Sequence, residues 1–217
     1  LLGGQGAPLV PIGDLLLFSD YNACLNLGGF ANCSMSKSGD VIAYDICAVN
    51  TVMNSLAEKK GMPFDTAGKL AKNGTLIPEL FSDLSSLEFY KITSPKSLGI
   101  EWVNSIISPL LTKFNDHKVE NILHTYARHV SLEISKNFSK NQHILVTGGG
   151  AKNLFLMSLL KTDCLATLFL PEEKLIDFKE ALIFGFLGVL RVRNEVNCLA
   201  TVTGASENHS SGNIFYS

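Results

Sequence analysis

ACLNLGGFANCSMSKSGDVIAYD, residues 23–45, divides into three short β-type runs: Ala23–Gly29, Phe30–Ser36 and Val41–Asp45. The first two meet at Gly28-Gly29 and the last two are separated by Lys37–Asp40, a turn composition, so the stretch predicts three consecutive antiparallel strands, a β-meander. Downstream, Val49, Val52, Met53, Leu56 and Ala57 recur at helical spacing up to a stop at Gly61. Short helices follow over 65–72, 77–84 and 95–112, broken by Gly74, Pro78, Pro95 and Pro109. A longer helix over 116–138 carries the stripe Val119, Ile122, Leu123, Tyr126, Val130 and Ile134, with Asn115 or Asp116 as N-cap. His143–Thr147 (HILVT) is an apolar strand that ends in Gly148-Gly149-Gly150, and 151–160 restarts a helix. A strand over 166–170, a helix over 177–193, a short strand over 199–203 and a polar, serine-rich tail complete the chain.

That order predicts an α/β fold: a mixed sheet flanked by helices, with a helical insertion and a long helix over about residues 62–140. A glycine turn after the first strand and a glycine loop after the fourth suit an actin-like ATPase (ribonuclease H-like) lobe. A Rossmann unit would need strand–helix alternation from the start and a G-x-G-x-x-G in its first turn, and the chain has neither.

Composition narrows the function. With 46% apolar and 18% charged residues the 217-residue chain can bury a large core. A net charge of −2 gives no field for a polyanion, so nucleic acid is not an expected partner. The most apolar stretch, 181–192, is shorter than the roughly 20 residues that span a bilayer, and no membrane partner is expected. The five cysteines form no C-x-x-C pair or metal spacing and read as reduced, buried thiols of a cytoplasmic protein. His117, His124 and His129 have no partners at metal spacing and read as surface or rim residues.

Three glycine-rich segments are candidates for ligand contact. Asn26, Gly28 and Gly29 sit at a hairpin whose backbone N–H groups can approach phosphate oxygens; the alternative is a plain turn. Gly148, Gly149 and Gly150, followed by Asn153, offer a side-chain-free surface for a nucleoside beside a helix N-terminus; the alternative is a tight strand-to-helix turn. Gly4, Gln5, Gly6 and Pro8 make a side-chain-poor loop with one amide for a sugar hydroxyl; the alternative is a flexible terminus. Asp45 either positions Mg2+-bound water or caps the next helix, and Glu180 opens an otherwise apolar helix, where a carboxylate answers the dipole of the N-terminus.

Together, Gly3–Pro11 (GGQGAPLVP), Leu25–Asn32 (LNLGGFAN), Tyr44–Asn50 (YDICAVN), Pro95–Glu101 (PKSLGIE), Val146–Asn153 (VTGGGAKN), Glu180–Ala181 and Val202–Ala205 (VTGA) resemble the C-terminal part of the anhydro-N-acetylmuramic acid kinase family. The resemblance implies two actin-like lobes around ATP and Mg2+, and an enzyme that opens the 1,6-anhydro ring of a cell-wall sugar while phosphorylating O6. It implies that residues 1–217 are the C-terminal lobe, that the N-terminal lobe and the catalytic aspartate precede Leu1, and that Glu180 lies near the sugar. Implied partners are anhydro-N-acetylmuramic acid and the N-terminal lobe, with a second copy of the chain as a further candidate. A non-catalytic actin-like lobe that binds nucleotide or assembles with a partner is the rival reading, and a kinase of another hexose is a third.

Overall fold

The computed structural model describes residues 2–37, 40–93 and 96–215. Its elements run α1 (Val10–Leu17), β1 (Ala23–Leu27), β2 (Phe30–Lys37), β3 (Asp40–Ala48), α2 (Asn50–Glu58), α3 (Lys69–Lys72), α4 (Pro78–Ser85), α5 (Ile100–Trp102), α6 (Ser108–Thr112), α7 (Val119–Ser135), β4 (His143–Thr147), α8 (Leu154–Asp163), β5 (Thr167–Phe169), α9 (Glu173–Val192) and α10 (Ala200–Thr203). A π turn over Val103–Ile107 joins α5 to α6.

The sheet has the order β3-β2-β1-β4-β5. The pairs β1–β2 and β2–β3 are antiparallel, as the meander predicts, and β1–β4 and β4–β5 are parallel. This mixed five-stranded sheet with helices on both faces is the α/β architecture expected from the sequence. Leu25 and Leu27 of β1 with Ile144 and Val146 of β4 pack into the main core under α2, α4, α7 and α8. Strand alternation turns Cys24 and Asn26 to the opposite face, where α1 and α9 build a second core from Ile12, Ile183, Leu187 and Leu190.

Several boundaries depart from expectation. Helix α1 covers residues to which the sequence assigned no element: Pro11 sits in its first turn, where a missing N–H costs nothing. Strand β3 continues through Asp45 to Ala48, with a bulge that leaves Ile46 extra opposite Ala31 and Asn32. Lys118, not Asn115 or Asp116, precedes α7, and no side chain caps it. Helix α9 starts at Glu173, one turn before Asp177. Residues 199–203 are not a strand: four of them form α10, closed by Gly204 at φ +72°. The turn assigned to Lys37–Asp40 and the start of the 95–112 helix rest on Ser38, Gly39 and Pro95, outside the described residues.

His129 is a correction. It is fully buried in α7 rather than at the surface or rim, and burial holds its pKa down near 3, so it is neutral. The Glu133 carboxylate 4.0 Å away is satisfied instead by Lys136 at 2.6 Å. His124 is half-buried with Nδ1 2.9 Å from the Ala71 carbonyl, and His117 is exposed. All five cysteines are buried and unpaired, and burial pushes Cys24 and Cys33 up to about 12, as for inert structural thiols. Among the described residues no helix is long and apolar enough to cross a membrane.

Candidate functional site

Because β1 and β4 are adjacent and parallel, their C-terminal ends reach the same edge of the sheet, and each opens into a glycine loop. In open α/β sheets that edge is where ligands bind. Asn26 and Thr147 are register partners there, on the α1–α9 face. The Asn26 side chain lies between the loops, its amide nitrogen against Gly28 and its oxygen against Gly148.

The three glycines after β4 are not equivalent. Gly148 holds φ +84°, and a Cβ there would collide with Asn26 and the Leu27 carbonyl. A Cβ on Gly150 would stand 2.8 Å from Leu27 Cβ. These two are required by packing against the end of β1. Gly149 is exposed, and the nearest atom to a Cβ there would be Asn50 Nδ2 at 3.8 Å. The fold does not need a glycine at 149; a ligand lying flat on the loop would.

Asn50, the first residue of α2, joins the loops. Its side-chain amide donates to the Leu27 carbonyl at 3.2 Å and its backbone N–H to the Gly28 carbonyl at 3.3 Å. The Val49 and Thr51 N–H groups donate to the Gly29 carbonyl at 2.8 and 3.2 Å, which clamps the hairpin on the start of α2. Thr147 adds a buried hydroxyl without a hydrogen-bond partner among the described residues. Neither Asn50 nor Thr147 was singled out from the sequence. Their signal was position alone: Asn50 opens the helix after the meander, and Thr147 is the last residue before the triple glycine.

This edge supplies shape and amide dipoles rather than positive charge. Lys152, just past the loop, is ion-paired with Glu173 at 3.1 Å and Asp177 at 2.7 Å, which ties the start of α9 to the glycine loop. Asn153 is the N-cap of α8: its side-chain oxygen accepts the Leu156 N–H at 3.0 Å and packs on Gly68. Only its amide NH2 is left for a ligand.

Asp45 does not cap α2. Its Oδ2 accepts the Leu98 N–H at 2.7 Å and the Ser97 hydroxyl at 3.1 Å, fastening the 96–98 segment along β3. With Oδ2 doubly engaged, any role toward Mg2+-bound water would fall to Oδ1 alone. Among the described residues no group of three His, Cys, Asp or Glu side chains could hold a metal ion.

The Gly4–Pro8 loop is exposed but not loose. The Gln5 N–H donates to the Thr203 carbonyl, and the Ser206 N–H to the Leu2 carbonyl, both at 2.9 Å. The GGQGAP and VTGA segments, from opposite ends of the chain, thus form one loop layer around a cavity of about 320 Å³ lined by Gly4, Gly6, Thr203 and Ala205. Glu180 is exposed on α9, two turns past Glu173, too far along for the dipole of the first turn to explain it.

A family model described as anhydro-N-acetylmuramic acid kinase matches residues 1–217. A protein of that name from Actinobacillus pleuropneumoniae serotype 5b is 36% identical over 231 residues, covering 99% of this chain and 62% of its own length. Another, from Bacillus cereus, is 29% identical over 235 residues with the same coverage, 99% and 62%. The chain therefore spans about three fifths of the length of these relatives. Among solved structures, component A of the Acidaminococcus fermentans (R)-2-hydroxyglutaryl-CoA dehydratase is 15% identical with a TM-score of 0.49, over 80% of this chain and 63% of that one.

Proposed function

The chain belongs to the anhydro-N-acetylmuramic acid kinase family, and we propose that it forms the C-terminal, nucleotide- and sugar-binding lobe of an ATP-dependent kinase that opens the 1,6-anhydro ring of anhydro-N-acetylmuramic acid and phosphorylates O6. The observation that carries the nucleotide half is the convergence of Gly28-Gly29 and Gly148–Gly150 on Asn26 and Asn50, with Gly149 bare toward solvent. The hairpin receives the phosphates and the triple-glycine loop the nucleoside. The sugar lies at the layer of Gly4, Gln5, Gly6 and Pro8, with Glu180 facing it from α9.

In the reaction a water oxygen bonds to the anomeric carbon as the C1–O6 bond breaks; O6 bonds to the γ-phosphorus and ADP leaves with the bridging oxygen. The water proton passes to a carboxylate base, which we assign to the part of the longer relatives outside residues 1–217. Glu180 holds the sugar and favours the charge developing at the anomeric carbon. Mg2+, when bound with ATP, neutralises phosphate charge; no side chain of this lobe is assigned to it. Phosphoryl transfer depends on positioning from both sides of the γ-phosphate, which suits one lobe of a cleft that closes against another. Five buried thiols suit a reducing cytoplasm, where such a kinase would serve cell-wall recycling.

The test is a coupled ADP-release assay on the full-length protein with anhydro-N-acetylmuramic acid beside plain hexoses. Turnover with the anhydro sugar and not with hexoses is expected. Turnover with hexoses alone would move the assignment to another sugar kinase, and ATP binding without any sugar turnover would favour a non-catalytic lobe.

A further inference from the structure

Away from the glycine edge, one polar cluster is walled off from water. Asp14 of α1 and Lys179 of α9, 8% and 7% exposed, form an ion pair at 2.6 Å. Ser34 of β2 donates its hydroxyl to the second carboxylate oxygen at 2.5 Å, and the Lys179 ammonium lies 5.6 Å from the Phe18 ring centre. Two charges out of water stabilise a fold no better than an apolar pair of the same shape, so their value lies in fixing one arrangement against others.

The arrangement fixed here is the seat of α9 on α1. Beside Asp14, Gly13 meets Ile183 so closely that a Cβ on Gly13 would overlap the isoleucine side chain. Lys179 and Ile183 are four apart and share one stripe of α9. Two contacts a turn apart, one ionic and one steric, leave α9 free neither to slide nor to roll. Glu180 follows Lys179 and therefore projects about 100° further round the helix. With Lys179 turned inward, Glu180 is held at the surface.

We propose that Asp14 and Lys179 are positioning residues for the sugar site: their ion pair sets the rotation of α9 and so the direction in which Glu180 points. Helix α1 begins two residues after Pro8. The pair thus braces the Gly4–Pro8 loop and Glu180 into one unit. This rests on reading those two segments as the sugar-binding elements.

The test uses the full-length protein and the variants Lys179→Met, Lys179→Arg and Glu180→Gln, with circular dichroism and thermal melts to set a temperature at which each is folded. Lys179→Met should lower kcat/KM for the anhydro sugar by about 10²-fold, as a misplacement of about 1 Å does, while KM for ATP stays within about two-fold. Lys179→Arg keeps the ion pair and should recover most of the loss. Because the pair acts through Glu180, adding Glu180→Gln to Lys179→Met should cost little more, where it costs its full effect in the parent. Equal Glu180→Gln effects in both backgrounds, or an undiminished sugar kcat/KM in folded Lys179→Met, would overturn the proposal. If Lys179→Met does not fold, the apolar pair Asp14→Leu with Lys179→Met carries the same comparison. An inactive parent would sink the kinase reading instead. Amide hydrogen exchange would then still decide the brace: faster exchange in α1 and the first half of α9 of Lys179→Met, with α7 unchanged, supports it, and unchanged exchange in α1 refutes it.

Discussion

At Gly149 the protein is silent and the proposed ligand speaks, which makes this glycine the sharpest single-residue test of the nucleotide site. Gly149→Val places its branches in open space, so the melting temperature should hold while ATP affinity, read by calorimetry on the full-length protein, collapses; unchanged affinity would remove the loop from the site. Gly150→Ala should do the reverse, since its Cβ meets Leu27 at 2.8 Å: a loss of about 1–3 kcal/mol in denaturant unfolding. Glu180→Gln keeps the shape and removes the charge, so the loss should fall on kcat more than on KM. His129 supplies a prediction about acid. Burial lowers its folded pKa to about 3, below the unfolded value, so the unfolded chain binds the proton first and stability falls as pH drops from about 6.5 towards 3. Between pH 7 and pH 5 this one group should remove about 2 kcal/mol, and His129→Gln should flatten that part of the urea-midpoint profile against pH.

Among the elements, those announced by local pattern were legible in the sequence and those fixed by distant contacts were not. The meander, the glycine-ended strand 143–147 and the stripe of α7 follow from periods of two and 3.6 residues. Helix α1 has no local pattern that announces it: Pro11 suits a helix start, and Gly13, a poor helix former, is demanded by Ile183 of α9. The β-branched run 199–203 reads as strand, but the Thr203 carbonyl is taken by Gln5, the Thr203 hydroxyl caps back on Leu199, and Gly204 ends a helix. At the site, both glycine loops were legible and Asn50 was not, because its role depends on β1 and α2 meeting. Asp65 holds the start of α3: its two carboxylate oxygens accept the Leu70 and Ala71 N–H groups at 2.8 and 2.9 Å. Asp65→Ala should therefore cost about 1–3 kcal/mol of stability, measured by chemical unfolding, without changing ATP affinity.

On the scale of the whole molecule, α9 shows two characters. Its inner stripe is braced on α1, while Phe178, Leu182, Val189 and Val192 stand 60%, 50%, 53% and 73% exposed. That much apolar surface on one helix suits a lobe that works inside a larger protein. Residues 1–217 expressed alone should accordingly neither hydrolyse ATP nor phosphorylate the anhydro sugar at a detectable rate in an ADP-release assay. Groups on one side of the γ-phosphate cannot exclude water, and under the proposed assignment of the general base outside residues 1–217 its loss costs about 10²–10⁴-fold. Robust turnover by the 1–217 chain would mean that its own residues complete the site. In the proposed reaction water opens the ring at the anomeric carbon and O6 takes the phosphoryl group, and mass spectrometry of the full-length protein's product formed from ATP in 18O-labelled water reads both. A sugar phosphate with the phosphate on O6 and one 18O on the anomeric carbon is expected; label in free phosphate, with the anhydro ring intact, would refute this chemistry.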